Sequence, residues 1–476
     1  MGRDRRIQIK PLEVLTREDL DRLHADTLTV LDQVGVEVHD AAARELLQAA
    51  GARVEGVRAR IDADLVARAV ASAPKEAEVY TRGGEPALHL APGHVYYGTG
   101  SDTTWFLDAV SGERRDTSLD SVRMMARLTQ ALPNLDFVMS MGRDREAAAE
   151  VADQRTFAAM VESASKPIVF TAQSGPALAS IARICAAVAG GAEAFRARPF
   201  AMLYAMPTSP LMHSAEALAT VLLAAEAGIP AIYSAAPMLG GTGPITLAGS
   251  LTLANAEMLS GLVIQQLHRP GAGFIHGPII GPLDMHTMVN AYCGPETTLL
   301  SIAEAQLARH YGLPVFALAG ASDAKTFDQQ AASEATLSLL ASSLAGGNLI
   351  HDVGYLESGL CASPDLLVFC DEVIDQIRYV LAGMEVSADS SLLSDIIEVG
   401  PGGNFLAQSS TVERFRSVLW SGPLTDRARH DEWQRTGARD MGARVRERVR
   451  ELLAAPDPAP LEEATRAEVW RLAGGG

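Results

Sequence analysis

LPVFALAGASDAKTFDQQAASEATLSLLASSLAGGNLIHDVGYLESGL, residues 313–360, is read as strand, loop, helix, strand, loop. The apolar run 314–319 is short and bounded by Pro314 and Gly320, which suits a buried parallel strand. Leu337, Leu340 and Leu344 recur at helical spacing, and Gly346-Gly347 stops that helix. NLIHDV (348–353) is the second strand. A strand–helix–strand unit implies parallel pairing through a right-handed crossover. In such sheets ligands bind beyond the carboxyl ends of the strands. The polar stretches GASDAKTFDQQ (320–330) and GYLESG (354–359) both fall there, so together they are read as a site.

The same alternation runs outward from this unit. Short apolar strands are expected at 135–140, 167–171, 200–205, 230–235, 272–277, 314–319, 348–353 and 394–399. The helices between them are rich in Ala and Leu. Eight such units predict an α/β fold closed as a (β/α)8 TIM-type barrel. The alternative, an open doubly wound sheet, lacks a G-x-G-x-x-G opening a first helix. The barrel is assigned to residues 118–420. Residues 1–117 form a helical and β-hairpin extension, with a helix over 17–35 capped by Thr16 and two strands around the turn Gly98–Asp102. Residues 421–476 form a helical tail rich in Arg and Glu, expected to pack on the barrel's outside or on a partner subunit.

Composition narrows the function. The chain of 476 residues is 48% hydrophobic and 21% charged, with a net charge of -18. That balance argues against binding a nucleic-acid backbone, which needs a basic face. The N-terminus, MGRDRRIQIKPLEV, has no apolar core of a signal peptide, and no run of about 18 uncharged apolar residues predicts a membrane span. The scattered Cys185, Cys293, Cys361 and Cys370 fit reduced thiols of a cytoplasmic protein.

The residues permit few kinds of chemistry. His213, His276, His286 and His351 form neither H-x-x-x-H nor H-E-x-x-H, so no metal is assigned. There is no G-x-S-x-G elbow. GPGG (400–403), after the last expected strand, stands where such barrels often bind phosphate with backbone N–H groups, although a tight bend explains it equally well. Asp323, Asp328 and Glu357, with Phe327 and Tyr355 between them, suit a cation held by aromatic faces in a negative field. Tyr96, Tyr97, Trp105, Tyr204, Tyr233 and Phe274 are further candidate walls.

VYYGTGSDTTWFLDAVSGERR (95–115), GASDAKTFDQQAASEATL (320–337), NLIHDVGYLESG (348–359) and VGPGGNFLAQSSTVERFRSVLW (399–420) resemble the trimethylamine methyltransferase family. The likeness runs along nearly the whole chain and is most specific in the SDAK and GYLESG blocks. It implies transfer of a methyl group from a methylated amine to the Co(I) of a separate corrinoid protein. Every residue is one of the standard twenty, so the chain resembles the branch without pyrrolysine, which includes demethylases of glycine betaine. Relatives tend to carry a histidine after GGNFL; AQSST (407–411) stands here.

The resemblance implies these roles. Asp323, Lys325, Asp328 and Glu357 are the catalytic candidates. Tyr97, Asp102, His276, Phe327, His351 and Tyr355 are the substrate-binding ones, with Lys325 or loop N–H groups holding a substrate carboxylate. Gly402, Gly403 and Asn404 are candidates for meeting the corrinoid. The expected substrate is a quaternary amine such as glycine betaine, the corrinoid arrives on a partner protein, and a homo-oligomer is compatible. Transfer to another acceptor such as tetrahydrofolate, or betaine binding without catalysis, are the alternatives.

Overall fold

The computed structural model describes residues 6–457 and 459–474. Its α/β core follows the predicted alternation from 135 to 381 closely. Strands Ile168–Phe170, Ala201–Ala205, Ala231–Tyr233, Phe274–His276, Phe316–Leu318 and Leu349–His351 are each followed by a helix, the last by Pro364–Leu381. Their pairing is parallel. Single bridges join Val138 to Ile168 and His276 to Val315.

The expected last strand is elsewhere. SDIIEV (394–399) lies in a helix, Leu393–Val399, with no buried residue. Its apolar positions, Leu393, Ile396 and Ile397, follow the helical period rather than alternation. The vacant place is filled from the N-terminal segment. Tyr96–Tyr97 pairs in parallel with Leu349–His351, and Gly98 bridges Phe137. The parallel pairings therefore pass from strand to strand and return to their start. The turn Gly98–Asp102 is not a hairpin, because Trp105–Leu107 joins a different sheet, between Arg114–Asp116 and Cys361–Ala362.

Side chains alternate between the two faces of this circuit, as strand geometry requires. Tyr96, Phe137, Met139, Val169, Met202, Ile232, Ile275, Phe316 and Leu349 form one buried cluster inside it. Val79, Leu88 and Leu90, from the hairpin Ala77–Tyr80/Pro86–Leu90, belong to the same cluster. The intervening residues, such as Tyr233, Phe274 and Ile350, pack outward against the helices.

The seam at Tyr96–Gly98 carries a buried ion pair. Asp136 accepts from Arg378 Nη2 at 2.6 Å and from the Tyr97 N–H at 3.0 Å. Arg378 also donates to Asn134 and lies over the Tyr97 ring. Helix Pro364–Leu381 is thereby bolted to the strand from the N-terminal segment.

Helix Leu247–His268 is long and apolar enough to cross a membrane, but 72% of its apolar window is buried inside the protein. It contains Glu257, which accepts from Ser209 and the Leu211 N–H, and Ser260, which meets His213. The tail helices Met441–Ala454 and Glu463–Leu472 pack on the outer helices of the same chain. Residues 384–419 form a lobe tied to the end of helix Pro364–Leu381, where the Val418 carbonyl accepts from Tyr379. That helix end also meets Gln8 through the Leu381 carbonyl, at the amino-terminal side of the strands.

Two predictions follow from this packing. Replacing Arg378 with Met leaves Asp136 buried without its partner and is expected to cost about 3–5 kcal/mol in denaturant unfolding. The double variant R378M/D136N should recover part of that loss, and equal losses in both would remove the ion pair as the cause. His213 is fully buried, bonded to Tyr233 and Ser260, and burial lowers its pKa to about 4. The unfolded imidazole takes up a proton near pH 6.5, whereas the folded one does so only near the lower value. Its contribution is therefore complete above that range and lost on acidification through it, about 3 kcal/mol in all. The stability of His213→Gln should vary less than that of the parent between pH 6.5 and 4.

Candidate functional site

A cavity of about 450 Å³ opens at the carboxyl ends of the strands. Its wall draws on segments far apart in the chain. Ser101 and Asp102 come from the turn after Tyr96–Tyr97, Thr171–Gln173 from the loop after Ile168–Phe170, and Tyr204–Met206 from the end of Ala201–Ala205 and just beyond. Tyr292 comes from the long loop after Phe274–His276. Asp352, Tyr355, Ser358 and Gly359 follow Leu349–His351.

Two carboxylates are held in place there. Asp102 accepts from Thr171 Oγ1 at 2.7 Å and from Ser140 Oγ at 3.3 Å. Burial raises its pKa, opposed by the Thr171 bond and by Arg143. Asp352 accepts from the Tyr292 hydroxyl, and its Oδ1 lies 2.8 Å from His351 Nδ1. Both aspartates have positive φ, 47° and 69°. That backbone strain is tolerated only where the surroundings hold it, and it concentrates at functional sites. Tyr355 donates to the Ser101 carbonyl, which ties the two loops together. Burial keeps Tyr204, Tyr292 and Tyr355 protonated, their pKa values raised above the usual phenol range. The wall thus presents neutral aromatic rings beside anionic groups, with Glu216 exposed at the rim.

Asp102 and Tyr355 are the sequence-predicted residues that line this cavity. His351 is buried beside it, its ring stacked on Phe316 at 3.6 Å. Tyr97 and His276 face away. Strand parity puts Tyr96 and Ile275 inside, so their neighbours point outward. Tyr97 bonds Ser343 in the helix layer, with its pKa pushed up to about 12 by burial. His276 meets Asn255 on helix Leu247–His268, and burial lowers its pKa to about 3.

None of the residues expected as catalytic, Asp323, Lys325, Asp328 and Glu357, lines this cavity. Asp328 caps helix Gln329–Ala345. Glu357 pairs with Arg114 at 2.9 Å. Lys325 is exposed, donates to the Asp323 carbonyl and does not line the cavity. Phe327 packs on Phe369. Asp323 stands one layer back, accepting from the Cys293 N–H and from Ser358 Oγ, and so fixes both Tyr292's neighbour and a cavity residue. Cys293, Asp323 and Glu334 bring possible ligand atoms within 4.8 Å of one another, but Glu334 is bonded to Ser322 and the Asp323 N–H. Gly402, Gly403 and Asn404 are exposed in the lobe at 384–419, after a helix and not a strand, and none of them lines the cavity.

Sequence reasoning missed Asp352, Tyr292 and Glu216 as site residues and named Tyr204 only as a candidate wall. Asp352 was accessible, since it stands near the carboxyl end of the predicted strand 348–353. Tyr292 sits in a loop with no periodic signal.

The chain matches the family described as trimethylamine methyltransferase (MTTB) over residues 3–471. It is 31% identical to a trimethylamine methyltransferase MttB of Methanosarcina thermophila, over 95% of each chain. It is 28% identical to a glycine betaine methyltransferase of Desulfitobacterium hafniense, covering 96% of this chain and 95% of that one. Among solved structures, the Methanosarcina barkeri monomethylamine methyltransferase (MtmB) is similar with a TM-score of 0.49 and 11% identity, covering 93% of this chain and 89% of that one.

Gly100 is what allows the walls to meet. A Cβ there would collide with the Tyr355 ring and with Asp352 Oδ1. Gly100→Ala is expected to cost about 1–3 kcal/mol in denaturant unfolding, because Tyr355 and Asp352 have to give way. Unchanged stability would show that the walls do not depend on this close approach.

Proposed function

The chain belongs to the trimethylamine methyltransferase family, and on that premise we propose that it moves a methyl group from a quaternary amine to the Co(I) of a separate corrinoid protein. The observation that carries this reading is the cavity where Tyr204, Tyr292 and Tyr355 share a wall with Asp102 and Asp352. Aromatic faces and fixed carboxylates together stabilise a cation that has no N–H to donate. The circuit of parallel strands is read as a (β/α)8 barrel, with the cavity at the face where such barrels place their sites.

The quaternary nitrogen already carries the charge that makes the tertiary amine a leaving group, so no proton has to move. The corrinoid, when docked, supplies the Co(I) electron pair that forms the new bond to the methyl carbon, while the C–N pair leaves with the amine. The chain's own residues orient and desolvate. Asp102 and Asp352 hold the cation, the three tyrosines exclude water, and the bonds from Thr171, Ser140 and Tyr292 keep the carboxylates from turning.

We read the protein as cytoplasmic, a reading supported by four cysteines that form no disulfide, Cys185, Cys293, Cys361 and Cys370. The lobe at 384–419 exposes Met384, Val386, Ile397 and Leu406, each more than two-thirds accessible. We read this exposed apolar surface as a contact for a second copy of the chain.

The purified protein, mixed with a Co(I) corrinoid protein and a quaternary amine, should bleach the Co(I) absorption. Asp352→Asn should slow that step at least tenfold. Because the Asp102 pKa is raised, the rate should fall on acidification at a higher pH than an ordinary aspartate would give, as the carboxylate takes up its proton. Asp102→Asn should remove that acid limb. No bleaching with any methylated amine would sink the reading.

A further inference from the structure

Among the described residues, the ionisable groups lining the cavity are Asp102, Glu216 and Asp352 with the three tyrosines; no Lys, Arg or His lines it, and His351 lies behind the wall with its Nδ1 2.8 Å from Asp352. The cations near the mouth are engaged elsewhere. Arg143 pairs with Asp153 at 2.7 Å, Arg155 with Asp144 at 2.8 Å and Arg114 with Glu357 at 2.9 Å. Lys325 is turned to its own loop's carbonyl. Asp153, which neutralises Arg143, also accepts from the N–H of Gln173 in the cavity wall.

The neutral donors are mostly committed as well. Thr171 donates to Asp102, Tyr292 to Asp352, Tyr355 to the Ser101 carbonyl, Ser358 to Asp323 and Thr220 to the Ala217 carbonyl. A carboxylate entering with the substrate would therefore find no cation and few donors. It would also lie close to two fixed carboxylates in a half-buried site, where like charges are poorly screened.

We infer that the cavity selects a quaternary ammonium ion of net charge +1, with an uncharged or hydroxyl-bearing arm, and disfavours the zwitterionic betaines. This rests on the reading of the cavity as the methyl donor's site. It narrows the substrate class from quaternary amines at large to those without an anionic arm. The arm would extend toward the rim, where Gln173, Ser214 and Glu216 lie.

Choline and glycine betaine make a suitable pair of probes, alike in size and differing in the charge of the arm. Calorimetry on the purified protein should show choline at least 30-fold tighter than glycine betaine at neutral pH. In Asp352→Asn the ratio should shrink at least threefold, because a repulsive partner of the betaine carboxylate is gone. Glycine betaine binding as tightly as choline, or binding of neither, would overturn the inference. Bleaching of Co(I) is read in parallel and separates the two claims. Preferential choline binding without bleaching by any amine removes the methyl transfer and leaves the charge selection standing. Bleaching by glycine betaine at equal or greater affinity does the reverse.

Discussion

The buried pair of Asp136 and Arg378 holds the seam on which the rest of the structure depends. It joins the end of helix Pro364–Leu381 to the segment at 136–137, and Asp136 also holds the Tyr97 backbone. The strand fixed there arrives from the N-terminal hundred residues and fills the gap between Leu349–His351 and Phe137. Its continuation carries Ser101 and Asp102 into the cavity wall. A buried pair is a poor source of net stability, because desolvation offsets most of the attraction. Its value here is positional: an alternative packing of this strand would leave a charge buried alone.

The site shows the same preference for position over stability. Asp102 and Asp352 sit at the ends of adjacent strands in left-handed backbone conformations that non-glycine residues rarely adopt. Each is held by neighbouring hydroxyls, with Arg143 also acting on Asp102 and His351 Nδ1 2.8 Å from Asp352. The tyrosines beside them are too deeply buried to ionise. The negative charge is thus fixed and only partly neutralised. Gly100 belongs to this arrangement, since any side chain there would drive Tyr355 and Asp352 away.

The acidic SDAK block, the most specific family signature in the sequence, lies one layer behind the cavity. Asp323 fixes the Cys293 backbone and Ser358, and Asp328 starts a helix. These residues shape the wall without forming it. A motif reading could not separate the two roles, because both require a polar residue at a fixed place in a loop after a strand. Asp352 stands beside His351 in the predicted strand 348–353, and only the structure shows that it lines the cavity.

The strand–helix alternation from 135 to 381, the carboxyl-end location of the site, Asp102, Tyr355 and the family were legible in the sequence by itself. Apolar runs between amphipathic helices, and long motifs, are local signals. Which segment completes the circuit, and which way each strand residue faces, were decided only by the tertiary structure. A strand of three apolar residues buried on both faces carries no alternation that marks inside from outside. Tyr97 and His276 therefore read as site residues until pairing placed Tyr96 and Ile275 inside. Likewise, two residues at 96–97 and six at 394–399 compete for one vacant edge, and the winner is set by partners more than 200 residues distant in the chain, Leu349, Ile350 and Arg378.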